Sequence, residues 1–360
     1  MKNAKEGFDF FLGALAPGGF HGYFDRLDTP PEMRLYLIKS GPGCGKSTLM
    51  KQVAAANLER GRITERIHCS SDPDSLDGVI LWQKGAALLD ATAPHTLDPS
   101  APGAAQEVVS LYHTMDVDAL KANQCEILDL FRSCAYYQER ASRTLSSAAS
   151  FLLDSRRTAA SAVDFTKVRL YAGRLGKRLI PSKGEGKGKE SIRLLSAVTP
   201  QGILTYRNTV PALADQILVL QDEYGAVSRV ILEHLRNQAI ESGWDVIACW
   251  CPTAPEDKLE HLFIPELSLA ILTSNSWHPM EFPGQKNIRT RRFMDLSVLA
   301  SSRARLRFNK KAAAQLLEQT SELQRQALET HNKLEEYYRS AIDFSLVDLA
   351  QDSLIHRLTN

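Results

Sequence analysis

A strand, a glycine-rich loop and a helix are predicted to follow one another along residues 34–48, RLYLIKSGPGCGKST. The first six residues are a short apolar run rich in strand-forming side chains, which predicts a buried strand that the glycines end. The sequence from Lys46 to Arg60 is typical of a helix, and Gly61 would end that helix. A buried strand that passes through a tight turn directly into a helix indicates an α/β domain.

Three glycines, Gly41, Gly43 and Gly45, leave this loop without side chains, so that successive backbone N–H groups can surround an anion. Because the helix is predicted to begin at Lys46, its dipole and its free N–H groups would point at the same anion. The Lys46 ammonium would reach the β- and γ-phosphates of a nucleotide, and the Ser47 hydroxyl is a suitable Mg²⁺ ligand. The predicted phosphate-binding residues are Gly41, Pro42, Gly43, Cys44, Gly45, Lys46, Ser47 and Thr48.

The loop resembles the Walker A loop of the P-loop NTPases, whose pattern is Gly-x-x-x-x-Gly-Lys-Ser/Thr. The chain departs from the pattern at its first position, which is Ser40. A small residue there is a mild departure, since the crowded positions nearest the phosphates keep their glycines. The resemblance implies ATP and Mg²⁺ as ligands. The alternative is a glycine-rich turn that only joins a strand to a helix.

A P-loop NTPase also needs an acidic residue that holds Mg²⁺ through water at the end of a neighbouring strand. Residues 86–90, AALLD, have this form and resemble a Walker B strand. Asp90 would then lie at the carboxyl edge of the sheet, where ligands bind in open α/β sheets. We therefore expect Lys46 and Asp90 as catalytic residues, and Ser47 and Asp90 as metal ligands. The alternative for Asp90 is an ordinary turn.

For other polar residues near this edge, the sequence allows a functional role and a structural role. Asp72, Asp74 and Asp77 cluster after the second predicted strand, and Asp72 is the best placed to orient an attacking water. Asp74 is equally well explained as a helix cap. His95 follows Asp90 by five residues and is either a γ-phosphate sensor or a structural side chain.

The remaining pattern predicts strands that alternate with helices, and hence a parallel sheet. A second strand is expected at 65–69, a short helix near 74–81 and a third strand at 86–89. From 106 to 161 the sequence predicts long amphipathic helix without strands. The Gly/Lys-rich segment 173–191 has the composition of a mobile connection.

The chain matches itself at a distance of 183 residues, without any insertion in the comparison. Identical residues recur, for example Leu12 and Leu195, Pro17 and Pro200, Leu35 and Leu218, Ala87 and Ala270, and His95 and His278. The segment 161–165, SAVDF, recurs as 340–344, SAIDF, at a slightly shorter distance. The sequence therefore predicts two tandem α/β domains, 1–183 and 192–360, each with a long helical extension.

At this distance the glycine loop falls on residues 224–231, YGAVSRVI. Lys46 then corresponds to Arg229, and Asp90 corresponds to Thr273. The loss of both elements predicts that the second copy does not bind nucleotide. Arg229 is interpreted as a leftover cation in a surface ion pair, with an arginine finger toward the first copy as the alternative.

The whole chain resembles a bacterial family of tandem P-loop ATPases, on the basis of this architecture and of the segment 90–95, DATAPH. The resemblance brings no known substrate. Three functions stay open: Mg²⁺-dependent ATP hydrolysis coupled to movement of the helices, an ATP-gated binding module, and a small-molecule kinase. ATP is preferred over GTP because the sequence has no Asn-Lys-x-Asp motif.

The composition of the 360 residues, 44% hydrophobic and 24% charged with a net charge of +1, indicates a globular protein and no general affinity for nucleic acid. We find no signal peptide and no run of 18 apolar residues, and six scattered cysteines are expected as reduced thiols. The expected location is therefore cytoplasmic, without membrane contact. The helices at 117–160 and 303–342 either pack within the chain or bind a partner or a second copy.

Overall fold

The computed structural model describes residues 7–27, 32–184 and 186–359. We call 7–184 the first half of the chain and 186–359 the second half. The described residues form two six-stranded sheets and two small two-stranded hairpins. The α/β class predicted from the sequence is therefore confirmed.

Each half begins with a strand and a hairpin, continues with the sheet and ends with helices. The first half contains β1 (Phe8–Phe11), β2 (Gly13–Ala16), β3 (Gly19–Gly22), β4 (Arg34–Lys39), α1 (Lys46–Glu59), β5 (Thr64–His68), β6 (Leu76–Leu81), β7 (Ala86–Asp90), β8 (Gln106–Ser110), α2 (Val117–Ala122), α3 (Gln124–Ala160) and α4 (Phe165–Leu179). The second half contains β9 (Glu190–Arg193), β10 (Ser196–Thr199), β11 (Gly202–Thr205), α5 (Thr209–Leu213), β12 (Gln216–Gln221), α6 (Ser228–Glu241), β13 (Val246–Trp250), β14 (Leu259–Ile264), β15 (Leu269–Ser274), β16 (Lys286–Arg289), α7 (Leu296–Ser301), α8 (Arg303–Ser340) and α9 (Phe344–Thr359).

The two sheets have the same strand order. It is β1-β5-β6-β7-β4-β8 in the first half and β9-β13-β14-β15-β12-β16 in the second. In each sheet one inner strand, β6 or β14, runs antiparallel to both neighbours, and the other pairs are parallel. The expectation of a purely parallel sheet is therefore wrong, and both sheets are mixed.

Three predictions for the first half need correction. The short helix expected near 74–81 is strand β6, whose six residues LDGVIL are all buried; a strand covered on both faces shows no alternation that would reveal it. The strand β8 lies at 106–110, inside the region expected to be helical, and pairs with β4. In the expected connection 173–191, helix α4 continues to Leu179 and β9 begins at Glu190.

The structure changes the alignment of the two halves. The hairpins match at the distance of 183 residues, but β4 and α1 match β12 and α6 at 182. The distance returns to 183 at β6 and β14, because the loop 69–75 has seven residues whereas the loop 251–258 has eight. The comparison without insertion is therefore wrong by one residue from β4 to β5, which includes the glycine loop.

The two halves meet around a pseudo-twofold axis. Phe11 and Leu194 occupy equivalent positions, and each donates its N–H to the carbonyl of the other, at 2.9 Å. A continuous hydrophobic core surrounds this contact and contains residues of both halves, among them Phe10 and Phe263. The fully buried ion pair of Glu65 and Arg193 also joins the halves. The two sheets are thus parts of one packed body.

The long helices α3 and α8 pack against each other in antiparallel fashion. Cys134 lies beside Ala327, whereas Asp154 pairs with Arg305. The helices thus pack within the chain, which was one of the two alternatives. They have 37 and 38 residues, yet no helix among the described residues is apolar enough over such a length to cross a bilayer.

The helices that follow α3 and α8 each pack against the other half of the chain. After α3, helix α4 packs against α6 of the second half, where Val168 and Leu175 are part of the core. After α8, helix α9 returns to α1 of the first half, where Leu354 and Leu358 are part of the core. Each sheet is therefore completed by a helix from the other half of the sequence, which the division at 183–192 did not predict.

We expect Leu354→Ala to destabilise the first half by about 2–5 kcal/mol, because Leu354 is 3% exposed in the core around α1. Leu349→Ala is the matched control, since Leu349 lies on the same helix and is 67% exposed; its effect should stay within about 0.5 kcal/mol. Thermal unfolding with hydrogen exchange checks this, and exchange should increase in α1. An increase of hydrogen exchange in α6 alone would contradict the packing of α9 against α1.

Candidate functional site

The segment between β4 and α1, residues 40–45, forms a tight loop that we call the first loop. Gly43 and Gly45 have φ angles of +66° and +75°, a left-handed conformation that favours glycine. Gly45 is the N-cap of α1, and no side chain caps the helix there. The N–H groups of the first helical turn therefore face the loop, an arrangement that binds anions in proteins.

Lys46 and Asp90, the two residues predicted to be catalytic, lie close together. Lys46 Nζ donates to the carbonyl of Gly41 at 3.0 Å and lies 3.6 Å from Asp90 Oδ2. The contact arises because β7, which ends at Asp90, pairs in parallel with β4 and so reaches the same edge of the sheet. Both side chains are 13% exposed. A positive and a negative group thus face each other at the loop.

Thr92 orients Asp90, and the sequence did not indicate this role. Asp90 Oδ1 accepts one hydrogen bond from the Thr92 N–H at 2.9 Å and another from the Thr92 hydroxyl at 2.5 Å. Oδ2 stays directed at Lys46. Only the general preference of aspartate for such turns could have suggested the contact.

The other predicted loop residues differ in their surroundings. Ser47 Oγ accepts a hydrogen bond from the Leu76 N–H at 3.0 Å, which keeps the hydroxyl beside the start of β6. Thr48 is exposed. Cys44 is buried, and burial raises the pKa of its thiol, so that it is a poor nucleophile. Ser47 is therefore the hydroxyl of this segment that is fixed at the loop.

The end of helix α8 covers the outer side of the first loop. A Cβ atom on Gly41 would lie 2.8 Å from the ring of Tyr338, and one on Gly43 would lie 3.1 Å from Arg339 Cγ. The Gly43 N–H donates toward the carboxylate of Glu335. Glycine is thus required here by close contact with the helix as well as by backbone conformation.

Helix α9 makes a second contact with the loop. Gln351 Nε2 donates to the Gly45 carbonyl at 3.2 Å, and Val347 packs nearby. Gln351 is buried. Both covering helices belong to the second half of the sequence, so the first loop is built from both halves.

The polar residues for which the sequence left alternative roles lie around β6. Asp72 Oδ2 accepts a hydrogen bond from Ser75 Oγ at 2.5 Å, within its own turn. His95 Nε2 lies 3.2 Å from Asp77 Oδ2, and both side chains are buried. Burial alone would lower the pKa of His95, but the carboxylates of Asp77 and Asp90 outweigh it and raise this pKa. His95 therefore has a partner within the fold.

The equivalent segment of the second half, residues 222–227, is the second loop. Gly225 has a φ of +70° and matches Gly43, whereas Val227 replaces Gly45 and Ser228 replaces Lys46. Asp222 replaces Ser40. Its Oδ2 accepts hydrogen bonds from the N–H groups of Val227, at 2.8 Å, and Ser228, at 2.7 Å, and Asp222 is 1% exposed. A carboxylate of the protein thus binds the donors of the second loop.

A lysine of the protein lies beside the same loop. Lys258 forms a buried ion pair with Glu260 at 2.5 Å, and a Cβ atom on Gly225 would lie 2.6 Å from Lys258 Cε. Arg229 matches Ser47 after the shift in alignment, and it pairs with Glu233 at 3.0 Å and with Asp257 at 3.4 Å. These charged side chains beside the second loop are therefore paired within the chain, and Asp257 is also paired with Arg156 of the first half.

A cavity of about 470 Å³ lies beside the second loop, between α3 and α8. Its lining combines apolar side chains, including Leu153, Trp277 and Leu306, with polar and charged ones. The three cations in its wall, Arg156, Lys258 and Lys310, are each paired with an acidic side chain. Among the described residues, the cavity therefore offers no unpaired cation for a polyphosphate.

Comparisons with known protein families, curated proteins and solved structures give no match for this chain. The resemblance to the P-loop NTPases therefore rests on the residues of the first loop and on Asp90.

Proposed function

We propose that the first loop binds ATP with Mg²⁺, that this site hydrolyses ATP, and that the second half does not bind nucleotide. The observation that supports the proposal most is the carboxylate of Asp222 on the N–H groups of the second loop. The first half has the neutral Ser40 at that position, and its hydroxyl donates to the Gly41 carbonyl at 3.1 Å. At the start of the helix, the second loop thus has a carboxylate on its N–H groups, whereas in the first loop the Glu335 carboxylate accepts from the Gly43 N–H and not from those of Gly45 and Lys46.

The residues of the first loop fit a nucleotide phosphate in several ways. The N–H groups at the start of α1 and the Lys46 ammonium supply positive charge, and no side chain among the described residues accepts from the N–H groups of Gly45 and Lys46. Ser47 and Asp90 supply the hydroxyl and the carboxylate oxygens that Mg²⁺ prefers. When bound, Mg²⁺ neutralises charge on the phosphate groups.

The chain's own residues then have distinct tasks. Lys46 would turn from the Gly41 carbonyl and Asp90 toward the phosphates, since a phosphate is a stronger acceptor than a carbonyl. Thr92 would hold the Asp90 carboxylate in place. Tyr338 and Gln351 would exclude water from the outer side of the loop. These tasks agree with positioning and electrostatic stabilisation, which dominate phosphoryl transfer.

An ATP-gated binding module is the second candidate, and the contacts of α8 and α9 with the loop favour it. Gln351 binds the Gly45 carbonyl, and Tyr338 packs on Gly41. A change of the loop on phosphate binding would therefore act on both helices. Steady-state turnover with Mg²⁺ separates this module from an ATPase, and product analysis with added acceptors identifies a kinase.

We expect Ser40→Asp to abolish ATP binding, because the new carboxylate would take the N–H donors of Gly45 and Lys46 as Asp222 does in the second loop. Gln52→Asp is the matched control, since it adds the same charge on an exposed position of α1. Calorimetric titration of the full chain with ATP should show an affinity lowered by about a hundredfold or more, which is about 2.7 kcal/mol. ATP binding that Ser40→Asp leaves unchanged would refute the proposed site.

A further inference from the structure

Three side chains that commonly bind transition metals meet in the first half, beside the first loop. The sulfur of Cys69, a carboxylate oxygen of Asp77 and a ring nitrogen of His95 all lie within 4.8 Å of one another. Cys69 follows β5, Asp77 lies in β6 and His95 follows β7. Because three different segments supply them, no short motif in the sequence indicated the cluster.

The separation of the imidazole nitrogen and the carboxylate oxygen fits two ligands of one tetrahedral ion. His95 Nε2 and Asp77 Oδ2 are 3.2 Å apart. Two ligands bound to zinc at about 2.0–2.1 Å in tetrahedral geometry are separated by about 3.3 Å. Burial and the Asp77 carboxylate raise the pKa of the Cys69 thiol, whereas the backbone N–H groups of Ser71 and Asp72, which are directed at the sulfur, act in the opposite direction. A thiolate, an imidazole and a carboxylate together suit Zn²⁺.

The second half contains a thiol, a carboxylate and an imidazole at equivalent positions, together with a cation of its own. Cys251, Glu260 and His278 match Cys69, Asp77 and His95. His278 Nε2 lies 2.8 Å from Glu260 Oε1, and Lys258 Nζ lies 2.5 Å from the same oxygen. An ammonium group thus neutralises the acid of this cluster.

The first half has no lysine at the position of Lys258. The residue directly before β6 is Ser75, whereas the residue directly before β14 is Lys258. Ser75 is neutral and donates to Asp72. The cluster in the first half therefore has the acid, the imidazole and the thiol without the built-in ammonium. The loops also differ by one charged residue, because the second loop has Asp222 where the first loop has the neutral Ser40.

We propose that Cys69, Asp77 and His95 form a Zn²⁺ site in the first half, with solvent as the fourth ligand. The ion takes the place of the ammonium that Lys258 supplies in the second half. It connects the ends of β5, β6 and β7, and it fixes the His95 ring, which packs between Phe20 and Phe24 at centroid distances of 5.0 and 4.6 Å. On binding, the Cys69 thiol loses its proton to solvent.

The test measures metal content of the full chain without nucleotide. The protein is stripped with a chelator, loaded with Zn²⁺, desalted and analysed by mass spectrometry, and we expect about one equivalent of zinc per chain. Cys69→Ser should lose most of this zinc. Ser75→Lys should lose it as well, because it places an ammonium where the second half has one. Cys251→Ser is the matched control and should retain zinc like the wild type.

Cobalt(II) gives an independent spectroscopic signal. The wild type and Cys251→Ser should show a thiolate-to-cobalt charge-transfer band in the near ultraviolet, and Cys69→Ser should not. Circular dichroism establishes that each variant is folded. Absence of zinc and of the cobalt band in the folded wild type would overturn the proposal and leave His95 and Asp77 as a metal-free ion pair. Zinc retained equally by Cys69→Ser would also overturn it.

The zinc proposal does not depend on the proposed ATP binding. Lys46→Ala removes a charge from the first loop but none of the three metal-binding groups. This variant should therefore keep its zinc even where ATP binding is lost. Zinc content and ATP affinity measured on the same preparation thus show which of the two proposals fails.

Discussion

Asp90→Asn is expected to lower Mg²⁺-dependent ATP turnover by about a hundredfold or more, which corresponds to at least about 2.7 kcal/mol of transition-state stabilisation. The substitution removes the negative charge that would hold Mg²⁺ but keeps the size of the side chain. Its amide oxygen can still accept the two hydrogen bonds that Thr92 donates. ATP affinity without metal should change little or rise, because repulsion between the carboxylate and the phosphates is removed.

Asp74→Asn is the matched control for this variant, since Asp74 is an exposed aspartate in the loop between β5 and β6. Its turnover should equal that of the wild type. Turnover and thermal stability are measured on one preparation of each protein. An Asp90→Asn protein with a lowered melting temperature but normal turnover per folded molecule would show that Asp90 only shapes the turn. Asp72 would then be the next candidate for the metal-binding acid.

Lys46→Ala is expected to weaken ATP binding by about a hundredfold, or about 2.7 kcal/mol. Lys46 supplies the one side-chain ammonium among the described residues of the first loop and helix α1 that contacts both the loop and Asp90. The fold should survive, because the ammonium bonds only a loop carbonyl and a partly exposed carboxylate. Isothermal titration of the full chain with Mg·ATP measures the effect.

Lys51→Ala is the control for charge, because Lys51 lies one turn later on α1 and is exposed. Its affinity should match that of the wild type. Thermal unfolding should show similar midpoints for both variants. Equal ATP affinity in Lys46→Ala and the wild type would place the nucleotide elsewhere or exclude it.

The two halves differ in the charged residues that they place at the loop and at the cluster of thiol, acid and imidazole. In the second half, Asp222 occupies the N–H donors of the loop and Lys258 neutralises Glu260, so both charges are supplied by the chain. In the first half, the corresponding residues are Ser40 and Ser75, which are neutral. Buried donors and acids need partners. In the first half, the two proposals assign the corresponding anion to ATP phosphate and the corresponding cation to zinc.

The exchange of helices affects any study of the halves in isolation. A fragment of residues 192–360 would lack α4, whose Val168 and Leu175 are buried against α6. It would also leave α9 without the core around α1. Failure of such a fragment to bind ATP would thus say nothing about the second loop. Substitutions in the full chain avoid this difficulty.

The sequence by itself determined the central unit of the first half. The strand 34–39 was predicted with the bounds of β4, and the helix from Lys46 was predicted to within one residue of the end of α1. These bounds depend on local sequence, because glycine ends a strand and permits a left-handed backbone conformation whatever its tertiary surroundings. The approach of Lys46 to Asp90 also followed from sequence, because parallel neighbouring strands end at the same edge.

Tertiary structure decided the rest. The strand β6 shows no alternation of apolar and polar residues, because both its faces are buried. The sequence of an amphipathic helix such as α9 does not indicate which half of the chain the helix will pack against. The one-residue shift between the halves depends on two loop lengths that only the paired strands reveal. Asp222 on the second loop and the cluster of Cys69, Asp77 and His95 arise from contacts between separate segments. Sequence patterns report the local environment of a residue, whereas partners distant in the chain are selected only when the whole core is packed.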